Sequence, residues 1–342
     1  MAFSIDIDSL RPVVYDIPEV SAKLTFSDYL GAIKVRWGIG RDNYTIAPGL
    51  YKVGKPGRES DVFVSANYKL SFDALRKNLG SINAWILVID TKGINVWCAA
   101  GKGTFGTDNL VKSIKNTSLE NIVTHRRIVV PQLGAVGVAA HKVKEKSGFR
   151  VIFGPTLAKD IKTFVAAGYK ATPAMRRMTF PIQERAKLIP VDLMYGKYKL
   201  LIVMAILFFL SGLDRTGFLF TKMFETSLFP LVNVFGAYLA GIVIAPLFLP
   251  WVPFRAFALK GAFWGAIFTF CIYLLWQVPL IECIALGFIN ISIASFVTMN
   301  FTGSSTYTSL SGVKKEMKWA IPFQIAFAVV GLILLIISKL LI

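Results

Sequence analysis

The sequence Ala-Trp-Ile-Leu-Val-Ile-Asp at residues 84–90 is followed, after four residues, by Asn-Val-Trp-Cys-Ala-Ala-Gly-Lys at residues 95–102. A continuous apolar run such as the first is typical of a strand buried on both faces of a parallel sheet. In the second run, Cys98 is the only cysteine outside the strongly apolar second half of the chain. Most free cysteines are small buried hydrophobic residues. A soft, ionisable sulfur also coordinates metals or acts as a nucleophile, so both interpretations of Cys98 stay open here.

Strands and helices alternate on both sides of the buried run. Residues 61–65 predict a strand and residues 67–79 an amphipathic helix, and a further helix begins near Asp108, which can cap its N-terminus. The later segments are a strand within residues 121–130, a helix at 141–147, a strand at 149–153 and a helix at 158–167. This alternation predicts an α/β fold with a Rossmann-like, doubly wound sheet that binds ligands at the carboxyl ends of its strands. Residues 1–60 are less regular.

The composition of the chain changes near residue 200. Residues 1–199 hold 30 Lys or Arg and 16 Asp or Glu, a net charge of +14, whereas the remaining residues hold 8 and 4, a net charge of +4. Together these give the net charge of +18 of the 342-residue chain. We therefore predict a soluble domain at residues 1–170, a Pro- and Arg-rich linker at 171–193 and an all-α transmembrane domain at 194–342.

Five apolar runs in the second half are long enough to cross a membrane, which takes roughly 20 residues for a hydrocarbon core about 30 Å thick. They are residues 194–213, 228–250, 259–277, 278–298 and 319–341, with a tight turn between the third and fourth. Four spans are the alternative count. A cleavable signal peptide is not expected, because residues 1–10 contain Asp6 and Asp8 and no apolar core.

The positive residues of the short loops indicate an orientation. If the N-terminus is cytoplasmic, the inside segments carry Lys197, Lys199, Arg255, Lys260, Lys314, Lys315 and Lys318. The outside segments then carry Arg215, Lys222 and Lys339. This distribution favours an inner-membrane protein whose soluble domain lies in the cytoplasm.

The polar residues of the apolar half are expected to hold helices together. Asn290, Ser292, Ser295, Thr298 and Asn300 can supply hydrogen bonds between membrane helices. Glu282 is the one candidate for a charge within a span, and it lies near a loop end. The region is therefore interpreted as an anchor rather than a transport pathway. Cys98, Cys271 and Cys283 form no disulfide framework.

One motif points to a different function. Gly101, Gly103 and Gly106 match the G-x-G-x-x-G pattern of dinucleotide-binding proteins. That fingerprint also needs an acidic residue about 20 positions later, on the ribose, and Glu120 stands there in the wrong context, after a helix. No P-loop is present, and neither His125 nor His141 belongs to a D-x-H-x-x-G sequence. Nucleotide binding and histidine-ligated cobalamin are thus disfavoured. Nucleic acid is not expected as a partner either, because no aromatic platform accompanies the positive charge.

Residues 93–107, Gly-Ile-Asn-Val-Trp-Cys-Ala-Ala-Gly-Lys-Gly-Thr-Phe-Gly-Thr, resemble the signature of the mercury-methylating corrinoid proteins, the HgcA family. The resemblance extends to residues 65–73, 129–137, 149–161 and 300–317, and so covers most of the chain. The order of a soluble domain before a membrane domain is similar too. The resemblance implies a cytoplasmic corrinoid-binding domain, related to the large subunit of the corrinoid iron–sulfur protein, ahead of about five transmembrane helices.

The resemblance also implies a mechanism. In the family, the run matching residues 95–102 forms a cap helix over a base-off, cobalamin-type corrinoid, and the position matching Cys98 places its thiolate on cobalt as the lower axial ligand. Thiolate is a strong, soft donor. Its electron density would favour release of a methyl group with its bonding electrons to Hg(II), which is an electrophile. The implied activity is an anaerobic, corrinoid-dependent methyltransferase that forms methylmercury, with Cys98 as its catalytic residue.

The residues that the resemblance assigns to the cofactor lie in three regions of the soluble domain. They are Ser65, Asn67, Asn95, Val96, Trp97, Cys98, Ala99, Ala100, Gly101, Lys102, Gly134, Gly137, Gly154 and Pro155. The small residues Ala99, Ala100 and Gly101 are expected to lie against the ring. Ser65 stands where the family commonly has Thr and keeps the hydroxyl. Lys102 either favours the thiolate by its proximity or reaches a propionamide or solvent, and ordinary turn chemistry is the alternative for the glycines.

The partners implied by the resemblance are a ferredoxin-like protein with two 4Fe-4S clusters (HgcB type), Hg(II) and a methyl donor that the sequence does not identify. The charge of +14 on residues 1–199 would attract an acidic ferredoxin or the anionic headgroups of a lipid bilayer. Three hypotheses follow: a mercury methyltransferase, a corrinoid methyl carrier for another acceptor, and a membrane-tethered nucleotide-binding redox protein. The visible absorption of a corrin would separate the first two from the third.

Overall fold

The structure is a computed structural model that describes residues 16–276, 278–301 and 310–341. Two compact units make up the chain. One contains the described residues up to Ile33 together with Gly40–Met178, and the other contains Lys34–Ile39 and the chain from Thr179 onward. Three features of the sequence lie wholly or partly outside the described residues. They are the N-terminal residues 1–10, Gln277 of the predicted tight turn, and residues 302–309 of the run 300–317 that forms part of the family resemblance.

The chain up to residue 176 contains seven helices and five strands among its described residues. The helices are α1 (Phe26–Arg36), α2 (Lys69–Asn78), α3 (Val96–Lys102), α4 (Thr107–Asn116), α5 (Leu119–Ile122), α6 (Ala140–Ser147) and α7 (Ile161–Ala166). The strands are β1 (Gly49–Val53), β2 (Val62–Ala66), β3 (Ala84–Ile89), β4 (Arg127–Val130) and β5 (Arg150–Phe153). Short 3-10 turns lie at Arg41–Asn43, Gln132–Gly134, Ala158–Asp160 and Ala174–Arg176.

The five strands form one mixed sheet in the order β1-β3-β2-β4-β5. The pairs β2–β3, β2–β4 and β4–β5 are parallel, and only β1 runs antiparallel, beside β3. Every residue of β2 and β3 is buried, because helices cover both faces of these strands. The predicted α/β fold with parallel strands is therefore confirmed. The antiparallel edge strand β1 falls in the region that the sequence pattern left irregular.

The two faces of the sheet carry separate hydrophobic cores. Val62 and Val64 pack on one face with Leu110 of α4 and Val143 of α6. Phe63, between them in the sequence, points to the other face and packs with residues of α2 and α7. The connection that leaves β2 thus crosses one face, and the connection that leaves β4 crosses the opposite face. A crevice opens at the carboxyl ends of such neighbouring strands, where doubly wound folds bind ligands.

Several local predictions need correction. Asp108 does not cap α4: Gly106 is its N-cap, and Asp108 lies in the first turn with an exposed carboxylate 2.6 Å from Lys146 Nζ. Helix α1 occupies part of residues 1–60, where no helix was predicted. The predicted linker at 171–193 stays a prediction, and within it lie the helix α8 (Ile182–Ala186) and the start of a long helix that begins at Ile189. Pro190 suits this start, because the first turn needs no N–H donor.

The region from residue 189 is mostly helical. Its helices are α9 (Ile189–Leu210), α10 (Phe220–Thr226), α11 (Leu228–Leu239), α12 (Ala245–Leu247), α13 (Phe257–Trp276), α14 (Leu280–Asn300) and α15 (Leu310–Leu341). A π-helical segment, Ala240–Ile244, joins α11 to α12, and the strands β6 (Leu213–Asp214) and β7 (Gly217–Phe218) form a small hairpin. Among the residues that the structure describes, five helical stretches of 20 to 30 residues are long and apolar enough to cross a membrane. This agrees with the predicted count of about five.

Polar side chains join the apolar helices, as predicted. Asn290, which is completely buried in α14, donates through Nδ2 to Oγ1 of Thr269 on α13 at 2.9 Å and to Oδ1 of Asn233 on α11. Ser292 and Ser295 of α14 hydrogen-bond to the backbone and side chain of Gln324 on α15. Such bonds hold membrane helices together because lipid offers polar groups no partners. Glu282 is also paired, 3.1 Å from Lys339 Nζ.

A buried ion network ties α1 to α2. The carboxylate of Asp28 accepts from Lys69 Nζ at 2.5 Å and from Arg76 Nη2 at 2.8 Å, and both cations also contact Asp73. Burial alone would raise the pKa of Asp28. The hydrogen bonds from Lys69, from the backbone of Thr25 and from Arg76 outweigh that effect and hold the pKa well below its usual range.

We predict that Asp28→Asn destabilises the α/β unit by about 1–3 kcal/mol at pH 7, because it leaves buried cations short of an acceptor. A lowered folded-state pKa stabilises the fold above the unfolded pKa of roughly 3.9. The difference between variant and wild type should therefore stay constant from pH 7 to 5 and shrink only below about pH 4. Thermal unfolding of the full chain in detergent, repeated across this pH range, measures the difference in stability.

The matched control is Asp108→Asn, which removes the exposed pair with Lys146. Exposed ion pairs contribute little, so this variant should unfold with the wild type at every pH. An Asp28→Asn variant as stable as the wild type at pH 7 would contradict the assignment.

Candidate functional site

Cys98 lies on the outer side of the two-turn helix α3. Val96, Ala99 and Ala100 face the core, whereas the thiol of Cys98 is half-buried and Gly101 and Lys102 are exposed. Asn95 caps the helix, since its Oδ1 accepts from the backbone N–H of Cys98 at 2.9 Å. Gly103 ends the helix in the left-handed conformation, with φ of 83°. Both helix ends are thus fixed by local chemistry, and the thiol is presented on a short, well-defined element.

The loop that leads from β3 to α3 is held by one side chain. Asn67, buried just beyond β2, accepts through Oδ1 from the backbone N–H groups of Thr91 and Gly93, both at 3.0 Å. The same oxygen lies 2.8 Å from Oγ1 of Thr91, and Nδ2 donates to Asp90 at 3.3 Å. Asn67 was predicted as a cofactor-binding residue. Its amide is occupied by the loop, so the structure shows Asn67 positioning the segment before α3, and its contact with a cofactor stays a prediction.

A cavity of about 270 Å³ opens at the carboxyl edge of the sheet, at the crevice between β2 and β4. Six of the fourteen residues predicted to bind the cofactor line this cavity: Ser65, Asn95, Val96, Trp97, Gly154 and Pro155. Cys98 follows Trp97 on α3 and is not among the lining residues. The fold therefore brings together residues that are as far as 90 positions apart in the sequence.

Gly134 and Gly137 lie behind α3 rather than in the cavity wall. A Cβ atom at Gly134 would come within 2.5 Å of the Phe105 ring, and one at Gly137 would meet the carbonyl oxygen of Phe105 and the backbone of Ala100. These glycines let the loop after β4 pack closely against the segment that ends α3. Close backbone packing accounts for both glycines in the structure, and their role in making room for the corrinoid stays a prediction.

Ala99 and Ala100 also differ from expectation. Both side chains are buried in the hydrophobic core on the α4 side of the sheet, so their small size lets α3 approach the domain. They do not offer a flat outer surface. Gly101 does so, since a Cβ built there meets nothing within 4 Å.

The G-x-G-x-x-G pattern lacks the context of a dinucleotide site. Gly101 is in the last turn of α3, Gly103 is its C-cap and Gly106 is the N-cap of α4. A dinucleotide fingerprint requires a turn between a strand and a helix, whereas this run connects two helices. The two histidines are ordinary: His125 Nε2 lies 2.9 Å from the carbonyl oxygen of Ser60, and His141 is exposed.

Sequence reasoning missed Thr156. This residue lines the cavity beside Pro155, is 9% exposed, and has a buried Oγ1 without a hydrogen-bond partner. Its backbone N–H donates to the carbonyl oxygen of Met175 at 2.8 Å, which fixes the residue in place. An unpaired buried hydroxyl costs free energy, so its position in a cavity wall indicates a site for a polar group of a ligand.

The segment that forms the sheet and the cavity is similar to a known protein family. Residues 37–165 match the CdhD family, described as the CO dehydrogenase/acetyl-CoA synthase delta subunit. That segment holds all five strands and the cavity edge. The α/β unit thus contains a CdhD family domain, related to the corrinoid/iron-sulfur protein large subunit.

Individual relatives match the same part of the chain. The gamma subunit of the acetyl-CoA decarbonylase/synthase complex of Archaeoglobus fulgidus is 31% identical over 135 residues, which is 38% of this chain and 28% of that protein. The corresponding subunit of Methanopyrus kandleri is 31% identical over 127 residues, 36% of this chain and 27% of that protein. The corrinoid/iron-sulfur protein large subunit of Moorella thermoacetica is 32% identical over 120 residues, 34% of this chain and 26% of that protein. The chain therefore spans little more than a quarter of the length of these relatives.

We predict that Asn67→Ala loosens the loop before α3. The N–H groups of Thr91 and Gly93 lose their buried acceptor, a loss of about 1–3 kcal/mol. Hydrogen exchange followed by mass spectrometry should show faster exchange of peptides covering residues 90–98, with β2 and β3 still protected. Asn78→Ala is the matched control, because the Asn78 amide donates on the surface to Ala74. Unchanged exchange over residues 90–98 would contradict the role of Asn67.

Proposed function

We propose that this protein is a membrane-anchored, corrinoid-dependent methyltransferase that transfers a methyl group to Hg(II), with Cys98 as the ligand to cobalt. The observation that carries the proposal is the position of the thiol. Cys98 lies on the outer side of a fixed helix beside a cavity, at the ligand-binding edge of a domain related to a corrinoid/iron-sulfur protein subunit.

The residues of this edge fit a corrinoid in three respects. The cavity of about 270 Å³ lies at the edge of the sheet and is close to the lower limit of small-molecule sites. It would take one part of the cofactor, with the rest of the cofactor over α3, where Gly101 and the Cys98 thiol lie. Thr156 lines the cavity, and a rotation about its χ1 would turn its buried, unpartnered hydroxyl toward that part of the cofactor. The soft sulfur supplies a donor of the kind that transition metals bind.

The chemistry assigned to the chain is donation and positioning. A bound corrinoid would supply the methyl group. The Cys98 thiolate would hold the metal of the corrinoid and raise its electron density, which would favour transfer of the methyl group, with its bonding electrons, to electrophilic Hg(II). Asn95 and Asn67 hold α3, and hence the sulfur, in place. Trp97 and Pro155 line the cavity entrance region with apolar surface.

The second candidate is a corrinoid methyl carrier with another acceptor. The names of the relatives favour it, because they belong to an acetyl-CoA decarbonylase/synthase complex and a corrinoid/iron-sulfur protein. The thiol on α3 favours the first candidate, since those carriers are not expected to present a thiolate in the cap. Both candidates use the same cavity and the same domain.

We further propose a location and a partner. The five apolar helices and the excess of Lys and Arg in the inside segments support an inner-membrane anchor with the α/β domain in the cytoplasm. An iron–sulfur protein with two 4Fe-4S clusters would keep the cobalt reduced. The net charge of +14 on residues 1–199 would steer an acidic protein of this kind toward the domain.

The decisive experiment compares Cys98 variants of the full-length chain, loaded with methylated cobalamin in detergent under strictly anaerobic conditions. We expect Cys98→Ala to retain the corrinoid with an altered visible spectrum and to lose methylmercury formation. Cys98→His should also change the spectrum and form methylmercury more slowly, because a neutral nitrogen donates less electron density than a thiolate.

The controls are Cys271→Ala and Cys283→Ala, whose thiols lie in α13 and α14; both should behave as the wild type. Methylmercury formation that survives in Cys98→Ala would refute the ligand assignment. A wild-type protein with a corrin spectrum but no methylmercury would favour the carrier. A chain that binds no corrin would exclude both candidates.

A separate prediction concerns Thr156. Replacing it by Val keeps the shape and removes the unpaired hydroxyl. The corrinoid-free protein should become slightly more stable, because no buried polar atom is left unsatisfied, while the affinity for the corrinoid should fall several-fold. Thermal unfolding and equilibrium dialysis measure the two effects. Thr163→Val, on the exposed side of α7, should change neither, and equal corrinoid affinity in Thr156→Val would refute the contact.

A further inference from the structure

The helix α1 carries most of the exposed large apolar side chains of the α/β unit. They are Phe26, Tyr29, Leu30 and Ile33, and Phe26 is 83% exposed. Among the residues of this unit that the structure describes, Val136 is the only other large apolar side chain that is exposed to this degree. A contiguous exposed apolar face on a domain whose other apolar side chains are packed marks an interaction surface.

The exposed residues form one apolar stripe along α1. Their spacing of i, i+3, i+4 and i+7 places them on a single face of the helix. Trp37, just beyond the end of the helix, is exposed as well and continues the stripe at i+11 from Phe26. At about 100° per residue, Lys34 and Arg36 lie about 80° to either side of Phe26. The apolar stripe therefore contains aromatic side chains and has a cation along each border.

The opposite side of α1 is occupied by contacts within the α/β unit. Asp28 belongs to the buried ion network with α2, and Gly31 lies so close to the ring of Tyr44 that a side chain would not fit there. Thr25 and Asp28 also cap the start of the helix reciprocally. The backbone N–H of Thr25 donates to the Asp28 carboxylate at 2.8 Å, and that of Asp28 donates to Oγ1 of Thr25 at 3.3 Å. The helix is thus fixed from one side, with the apolar stripe facing outward.

The chain that follows α1 leads to the apolar helices. Lys34–Ile39 belongs to the compact unit that contains these helices. A Cβ atom at Gly38 would lie 3.7 Å from Cβ of Met194, in the second turn of α9. Met194 is the first residue of the first predicted span. The end of α1 therefore lies at the level where this span would enter a bilayer, which makes a lipid surface the partner within reach of the apolar stripe.

We propose that α1 lies in the headgroup region of the membrane, with its apolar stripe in the lipid and with Lys34 and Arg36 on anionic phosphates. Trp and Tyr are enriched at this depth because their rings are amphipathic, and Lys and Arg bury their stems while their charges stay at the polar surface. Amphipathic helices with this distribution of residues lie in the plane of the interface. The inference rests on the proposed membrane anchor, and it is independent of the corrinoid.

The test measures the surroundings of single residues in the full-length chain, inserted in nanodiscs of phosphatidylcholine and phosphatidylglycerol. Leu30→Cys or Ile33→Cys carries a nitroxide label, in a chain whose three native cysteines are replaced by alanine. Molecular oxygen concentrates in lipid, whereas a nickel chelate stays in water. Relative to the chelate, oxygen should collide several-fold more often with labels on the apolar stripe than with a label at Lys115→Cys, which is exposed on α4.

A label at Ile325→Cys, exposed on α15, is the control for the anchor itself. If this label prefers the chelate, the membrane anchor is wrong and the inference fails with it. If this label prefers oxygen and the labels on the apolar stripe prefer the chelate, the anchor stands and the inference is overturned. Labels on the apolar stripe that are shielded from both reagents would show that protein covers α1, which would overturn the inference as well.

A pair of substitutions tests whether the apolar stripe holds the helix in the lipid. Leu30→Glu with Ile33→Glu should move a label at Phe26→Cys from lipid to water, because carboxylates are costly in the apolar layer. The matched control is Thr163→Glu with Ala166→Glu, which adds the same two charges at the same spacing to exposed positions of α7. This control should leave the label in lipid. A label that stays in lipid after both stripe substitutions would overturn the proposal.

Discussion

The amide of Asn67 is the interaction on which the geometry of the site depends. It stands just beyond β2 and binds the backbone of the loop after β3, so that two neighbouring strands of the sheet are joined at their carboxyl ends. A backbone turn alone would leave the N–H groups of Thr91 and Gly93 buried without acceptors. Because α3 begins three residues after Gly93, the direction of the helix and the position of Cys98 follow from this contact. Asn95 then fixes the first turn of the helix.

Around this contact, small residues allow α3 and the loop after β4 to pack closely, and polar side chains lie at the edge of the sheet. Ala99, Ala100, Gly134 and Gly137 let α3 and the loop after β4 pack against the core without a gap. The side chains left at the edge are then Trp97, Cys98 and the hydroxyl of Thr156. A side chain that binds a metal needs a rigid support, because its donor atom must keep its position when another group bound to the metal is lost or gained.

Much of this arrangement could be predicted from the sequence, and the reasons for the failures are physical. The strands at 62–66 and 84–89 are buried on both faces, and their sequences, which are apolar except for Ser65, predicted the sheet. Strand β1 alternates less clearly because it lies at the edge, and α1 exposes apolar residues that disguise its pattern. The sequence indicates that Asn67 is unusual, because a polar residue there directly follows a buried strand. It does not identify the partners, Thr91 and Gly93, which are 24 and 26 positions away. Nothing in the sequence indicates Thr156, because an unpaired hydroxyl is recognised only once its surroundings are known.

The buried polar face of α14 constrains how the apolar half is made. Asn290, Ser292 and Ser295 have no water to bind within a hydrocarbon layer, and their partners lie on α11, α13 and α15. Since α15 is synthesised after α14, part of the hydrogen bonding of α14 remains incomplete until α15 has been made. The helix would therefore remain beside the insertion machinery, or close to α13, until Gln324 arrives. A chain shortened before α15 would leave these groups facing lipid and become a target for membrane proteases.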